Sequence, residues 1–229
     1  MRFSLPRPLH GWRRFLGEVG VIVIGVLIAL GAQQAAESWN QHNDVAEARK
    51  ALRAEIAIAA ADVRARIALS PCVNRRAADL EQWLEGYRKH DARSPIGAIG
   101  RPPSNPPISE AWETLKASPA AMHIPTQERL AYATLYARLQ TIREIEKAER
   151  EAWLELQDFQ DAPDLDPASA MKLRGLIYRV LQADDALQRY GRGALDAAAQ
   201  MQVRPVARPP AKASDLCRPL KLAVTKGAA

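Results

Sequence analysis

The chain has 229 residues, 48% of them hydrophobic, with a formal net charge of +6 and two cysteines. That length leaves room for one domain with a real core once a tail and an apolar run are set aside. A basic chain raises nucleic acid as a partner, but here the excess sits at the ends. Arg2, Arg7, Arg13 and Arg14 contribute +4, the segment from Arg204 onward +5, and the body between them −3, which argues against nucleic acid.

Val19 to Ala36, V-G-V-I-V-I-G-V-L-I-A-L-G-A-Q-Q-A-A, is the only long uncharged run. At roughly 18 residues it lies near the lower end of the ~17–25 that cross a bilayer core. Its dense part is short enough to resemble a signal-peptide core. Gln33 and Gln34 stand where a signal peptidase needs small side chains, however, and Glu18 is unusual at such an edge. The reading is an uncleaved membrane anchor; a cleaved signal and a buried helix of a soluble protein are the alternatives. Basic residues before the run and the acids Glu37, Asp44 and Glu47 after it place the N-terminus in the cytoplasm and export the rest. Trp12 and Trp39 bracket the run as interfacial aromatics, with Arg13, Arg14 and Glu18 as its charged flank. Glu18 lies one helical turn from Arg14 and near the positive end of the helix dipole, so pairing explains it more simply than a proton relay. Gly25-x-x-x-Ala29 and Gly31-x-x-x-Ala35 are small-residue pairs that give only a weak hint of self-association.

Trp39 to Leu69 holds no proline or glycine. Val45, Ala48, Leu52, Ile56, Ala59, Val63 and Ile67 recur at helical spacing, so a rod continues from the anchor. Ser70-Pro71 is expected to stop it, with Ser70 capping a second helix that runs to about Lys89 and Pro71 at its first position. Residues 91–107, with five prolines, read as a connector loop mobile at its centre. Ser109 opens a short helix, residues 117–125 form a bend, and Thr126 is expected to cap a long helix to about Phe159. The stripe of that helix is Leu135, Leu139, Ile142, Ile145, Ala148, Ala152, Leu156 and Phe159, and the charged run Arg143–Glu151 is expected on its solvated face. Asp161–Asp166 lacks the ligand spacing of a calcium loop; Asp166 caps a last helix, with Pro167 at N1, that runs to about Gln202. Asp184 interrupts the stripe of that helix and is expected to turn outward, since Leu181 and Leu187 can carry the contact; a buried register-setting group and the floor of a small pocket are the alternatives.

Cys72 and Cys217 both fall in the exported part, where a bridge between them is the natural reading; free thiols or an intermolecular bridge are the alternatives. There is no C-x-x-C. His10, His42, His90 and His123 are scattered, with no metal-ligand spacing, so no metal, cofactor or catalytic residue is assigned. No phosphate loop, nucleophile elbow or zinc helix motif occurs.

The segment F-L-G-E-V-G-V-I-V-I-G-V-L-I-A-L-G-A-Q-Q-A-A-E-S-W resembles the anchor of a family of uncharacterised single-pass inner-membrane proteins of Gram-negative bacteria. The likeness continues at A-L-R-A-E-I (51–56), P-C-V-N-R-R (71–76), A-W-E-T-L-K-A-S (111–118), L-A-Y-A-T-L-Y-A-R-L (130–139) and E-R-E-A-W (149–153). It implies a bacterial inner-membrane protein with a helical periplasmic domain of unknown function, and it brings no activity or site residues.

The expected architecture is all-α: a single N-terminal transmembrane helix continuing into a long helix of an exported antiparallel helical bundle. Its parts are a cytoplasmic basic tail (1–18), the anchor (19–36), a periplasmic helical domain (37–202) and a basic, proline-containing C-terminal tail (203–229). The expected function is interaction rather than catalysis: a scaffold or accessory protein in contact with the lipid bilayer and with an envelope protein or further copies of itself. A ligand-sensing ectodomain that signals through a partner protein is the alternative.

Overall fold

The computed structural model describes residues 12–89, 95–96, 98–160, 162, 165–207 and 215–222, with the side chains of Arg13, Arg14, Pro95, Ile96, Lys221 and Leu222 left aside. It is helical: α1 (Trp12–Ala68), α2 (Ser70–Arg88), α3 (Glu110–Ala117), α4 (Ala120–His123), α5 (Thr126–Gln157) and α6 (Pro167–Gln200). A 3-10 turn, Asp215–Cys217, and two minimal strands, β1 (Pro95–Ile96) and β2 (Lys221–Leu222), complete it. The strands pair antiparallel, Pro95 with Leu222 and Ile96 with Lys221.

Unbroken helical periodicity makes α1 a single helix of 57 residues, about 86 Å at 1.5 Å per residue. Near its start lies a stretch long and apolar enough to cross a membrane, with a mean hydropathy of 2.4 over an 18-residue window and no buried residue in it. Val21, Ile22, Val23, Ile24, Leu27 and Ile28 stand exposed on every side of the helix. Burial begins at Val45 and is complete at Leu52 and Ile56.

At Ser70-Pro71 the rod ends as expected: α1 stops at Ala68, and α2 starts at Ser70 with Pro71 in its first turn. Leu69 keeps right-handed helical angles (φ −85°, ψ −7°), and its N–H reaches back only three residues, to the Arg66 carbonyl at 3.1 Å. Pro71 has no N–H to give, which loosens the ladder at that turn. Helical bonding resumes at once, Val73 N–H to Leu69 O at 3.1 Å. α6 runs against both α1 and α2, for Gly191 faces Val63 and Ile67, Asp184 meets Ser70, and Ile177 lies beside Leu84. Ser70 therefore caps nothing; its hydroxyl is committed to Asp184.

α5 lies along α1 in the same direction, with Glu128 against Arg49, Tyr136 against Glu55 and Glu149 against Arg66. α6 returns beside α5, with Arg138 bonded to the Gly193 carbonyl at one end and Glu155 paired with Arg179 and Lys172 towards the other. The chain must thus travel from the end of α2 back along the rod before α5 starts. The proline-rich segment makes that journey: Ile99, Pro102 and Pro107 are buried, so the expected mobile centre is instead a packed strap. Prolines suit this path because an extended segment crossing helices has no ladder partner for its N–H groups.

Two apolar clusters result. One, around Leu52, Ile56, Leu135, Tyr136, Leu139 and Ala194, joins α1, α3, α4, α5 and α6. The other, around Val73, Leu80, Trp83, Ile99, Trp153, Leu156, Leu173, Val180 and Leu216, joins α2, the strap, the later turns of α5, the first half of α6 and the C-terminal segment. Two helix starts differ from expectation. Pro125, not Thr126, occupies the cap position of α5, without a side-chain bond, and the bend before it contains α4. Asp166 does cap α6, accepting from Ser169 N–H at 2.6 Å, with Pro167 in the first turn. α6 ends at Gln200, where Gln202 turns the chain with a φ of 57°.

Candidate functional site

Between the two apolar clusters, where α1 meets α2, lies the most concentrated polar chemistry of the described residues. It is built from three pairs of residues four apart, one across the junction of α1 and α2, one on α5 and one on α6. Arg66 and Ser70 flank the junction, Glu149 and Trp153 sit on α5, and Asp184 and Gln188 on α6. Side chains four apart share a helix face, so each pair points inward together. The Arg66 guanidinium donates to Glu149 through Nε (3.2 Å) and Nη2, and to Asp184 Oδ1 through Nη1 (3.1 Å). Trp153 Nε1 donates to Glu149 Oε1 at 3.1 Å. The second Asp184 oxygen accepts from Ser70 Oγ and from Gln188 Nε2 (3.1 Å), and Gln188 also donates to Ser70 Oγ (2.7 Å). Arg66, Glu149 and Asp184 are only 6%, 4% and 2% exposed, so their polar contacts are made with one another and with their neighbours rather than with bulk water.

Glu146, one turn before Glu149 and 4% exposed, faces the strap and accepts from Ser104 Oγ at 3.2 Å. Burial pushes the carboxyls of Glu146 and Glu149 above the usual range, against the opposing pull of Ser104 on the first and of Arg66 on both. The cavity between strap and ions measures about 10 Å³, room for at most one water. The cluster ties α1, α2, α5, α6 and the strap to one another.

These residues correct two expectations. Asp184 does not turn outward, and the run Arg143–Glu151 is solvated only in part: Glu144, Lys147 and Glu151 are exposed, whereas Glu146 and Glu149 are buried. The 4-3-4-3 stepping that continues from Leu139 through Ile142 runs on through Glu146, Glu149, Trp153 and Leu156, all buried, whereas Ala148 is exposed. The signal was in the spacing; the charge of the glutamates masked it.

Further along α1, Glu55 accepts from Tyr136 Oη (2.6 Å) and from the Ala111 N–H at the start of α3 (2.9 Å). Trp112 stacks on Tyr136 at 5.3 Å. Burial, then the bond to Glu55, pushes the Tyr136 phenol well above its ordinary value. Arg49 and Glu128 form a forked pair at 2.8 and 2.7 Å nearer the surface.

At the other end, Cys72 and Cys217 lie at disulfide distance, 2.14 Å between sulfurs and 4.6 Å between Cα atoms. Beside them Arg76, 1% exposed, donates through Nη2 to the Asp215 and Arg218 carbonyls (2.8 and 2.7 Å), with the Ala98 and Leu216 carbonyls at 3.4 and 3.5 Å. No signal in the sequence marked Arg76, since its acceptors are backbone atoms about 140 residues away.

Of the anchor flank, Trp12 and Trp39 are exposed at either end of the apolar stretch, as is Glu18. The side chains of Arg13 and Arg14, and hence the Arg14–Glu18 pairing, lie outside the described residues, as do residues 1–11, His90, part of the acidic turn before α6, and the C-terminal tail at 208–214 and 223–229. Among the described residues no group of three or more His, Cys, Asp or Glu is placed to hold a metal ion. Two solvent-open clefts of about 350 and 380 Å³ run beside α6, one against α2 and one against α5. No family model, curated protein or solved structure matches the chain.

Proposed function

We propose that the chain is a single-pass protein of the bacterial inner membrane whose exported, largely antiparallel helical bundle serves interaction rather than catalysis. It acts as a scaffold or as an accessory subunit of an envelope complex. The observation that carries this reading is the apolar stretch of α1, exposed on all sides and continuous with the helix that enters the folded core. Leaving such a surface in water is unfavourable at about 25 cal/mol per Å² of apolar area, so lipid is its natural surrounding. The arginines before the stretch and the acids after it favour an exported body. A cysteine pair at bonding distance suits an oxidising compartment. The ionised groups buried in the core are engaged with one another, which supports a structural rather than a catalytic use of them.

The test is alkaline carbonate extraction of membranes that carry the full chain, with protease added to spheroplasts. The chain should stay in the membrane pellet, and its body should be cut only from outside. Release into the soluble fraction would refute the anchor, and protection from external protease would refute the orientation. Purification from those membranes in mild detergent then decides between the two roles: a stoichiometric envelope protein supports an accessory subunit, whereas the chain alone directs the search to ligands.

A further inference from the structure

The segment Asp215–Leu222 sits in a socket formed by α2 and the start of the strap. Its polar contacts with the socket go to its backbone atoms. Arg76 holds the Asp215 and Arg218 carbonyls, Asp79 Oδ2 accepts the Leu220 N–H at 2.8 Å, and Arg75 donates to the Cys217 carbonyl at 3.4 Å. β2 adds a ladder to β1. Gly100, at φ 69°, lets the chains approach so closely that a Cβ there would meet the Leu216 nitrogen at 2.9 Å. One side chain supplies the apolar anchor: Leu216 is 0% exposed, among Val73, Ala77, Leu80 and Ile99. The lock is covalent, and it sits at the mouth of the socket, where Cys72 and Cys217 are half-buried rather than sealed.

This is how a folded domain binds an extended peptide: main-chain bonds for affinity, a pocket for one side chain, and a strand added to an edge. The occupant happens to be covalently part of the same chain. We propose that the socket is a segment-exchange site, in which one copy of the chain takes up the Asp215–Leu222 segment of a second copy and Cys72 of the first bonds to Cys217 of the second. A second copy is the occupant because the socket matches this very segment at every point, with the leucine in the pocket, its neighbour opposite Cys72 and the Leu220 N–H on Asp79. Exchange of an identical element between protomers sacrifices none of these contacts. The chemistry consumes no oxidant. A small-molecule thiolate attacks the Cys72 sulfur, the Cys72–Cys217 bond breaks, and Cys217 leaves as a thiolate with its segment. The Cys217 thiolate of the second copy then attacks the mixed disulfide on Cys72, the new bond forms, and the small thiolate is expelled.

The experiment uses two full-length chains with different tags, Cys72→Ser and Cys217→Ser, co-expressed, purified in mild detergent and equilibrated with a glutathione redox buffer. Neither chain can close its own bridge, so a covalent heterodimer on a non-reducing gel reports Cys72 of one chain bonded to Cys217 of the other. Leu216→Asp is then added to one chain at a time. On the Cys72→Ser chain, which donates the segment, it should cut the heterodimer at least about tenfold, because burying a leucine is worth more than that factor. On the Cys217→Ser chain it should raise the yield, because that chain's own segment no longer competes for its socket at high local concentration. Absence of a heterodimer while both chains keep their helical far-UV spectrum would overturn the proposal. So would the same effect from both placements, which would mean random collision of exposed thiols.

Discussion

Replacing Arg66 by methionine tests whether the buried ions govern the register of the three long helices. Methionine keeps the length and flexibility of the side chain and removes the cation that pairs with both Glu149 and Asp184. Both carboxylates are then stranded at 4% and 2% exposure. Removing one partner of a buried ion pair costs about 3–5 kcal/mol, most of it the penalty for the uncompensated charge. With a urea slope of about 2 kcal/mol per molar, the midpoint of the far-UV helical signal should fall by about 1.5–2.5 M at pH 7. Arg49→Met is the control. Its pair with Glu128 is 38% and 29% exposed, so screening by water holds the loss to about 1 kcal/mol or less. Acid should narrow the gap. Burial already holds Glu149 above its unfolded value, and loss of Arg66 raises it further. An acid raised in the folded state costs stability as pH climbs from its unfolded to its folded pKa, so the penalty present at neutral pH fades as pH falls to the unfolded value at about pH 4. An Arg66→Met loss no larger than that of Arg49→Met, or equal losses at pH 7 and at about pH 4, would refute the reasoning.

Glu146→Gln should stabilise the chain at pH 7, since glutamine still accepts from Ser104 and carries no charge to desolvate. The gain should disappear as pH falls through the unfolded carboxylate range and Glu146 itself takes a proton; thermal midpoints at pH 7 and pH 4 check this. Gly100→Ala should cost about 1–3 kcal/mol from positive φ and backbone overlap combined, and amide exchange should show the loss confined to residues 215–222 and the strap. Asp166→Ala removes the one side-chain cap bond at the start of α6 and should cost about 1 kcal/mol, read as a lower thermal midpoint with unchanged helical content.

The sequence by itself determined the local physics. Spacing of apolar residues made the helices, the uncharged run from Val19 made the exposed apolar stretch, and Asp166-Pro167 started α6, because each of these depends only on residues within a few turns. Two cysteines in one chain left a single intramolecular pairing, and the structure forms it. What only the tertiary structure decided was the use of each charge and each breaker. A glutamate in a helix reads as solvated until an arginine from another helix, 83 residues earlier, is seen to neutralise it. Asp184 had the position of a core residue, yet its burial required Arg66 to arrive from α1 and Ser70 from α2, with Gln188 one turn further along α6. Ser70-Pro71 carries the signs of a helix boundary, and α1 does end there, but only the packing of α6 along both sides of it shows that α2 runs on without turning back. The direction of α5 was likewise hidden, because a loop of prolines gives no sign of whether it turns back or runs the length of the rod. Charge, course and direction are settled by partners distant in sequence, and a chain read in order does not bring those partners together.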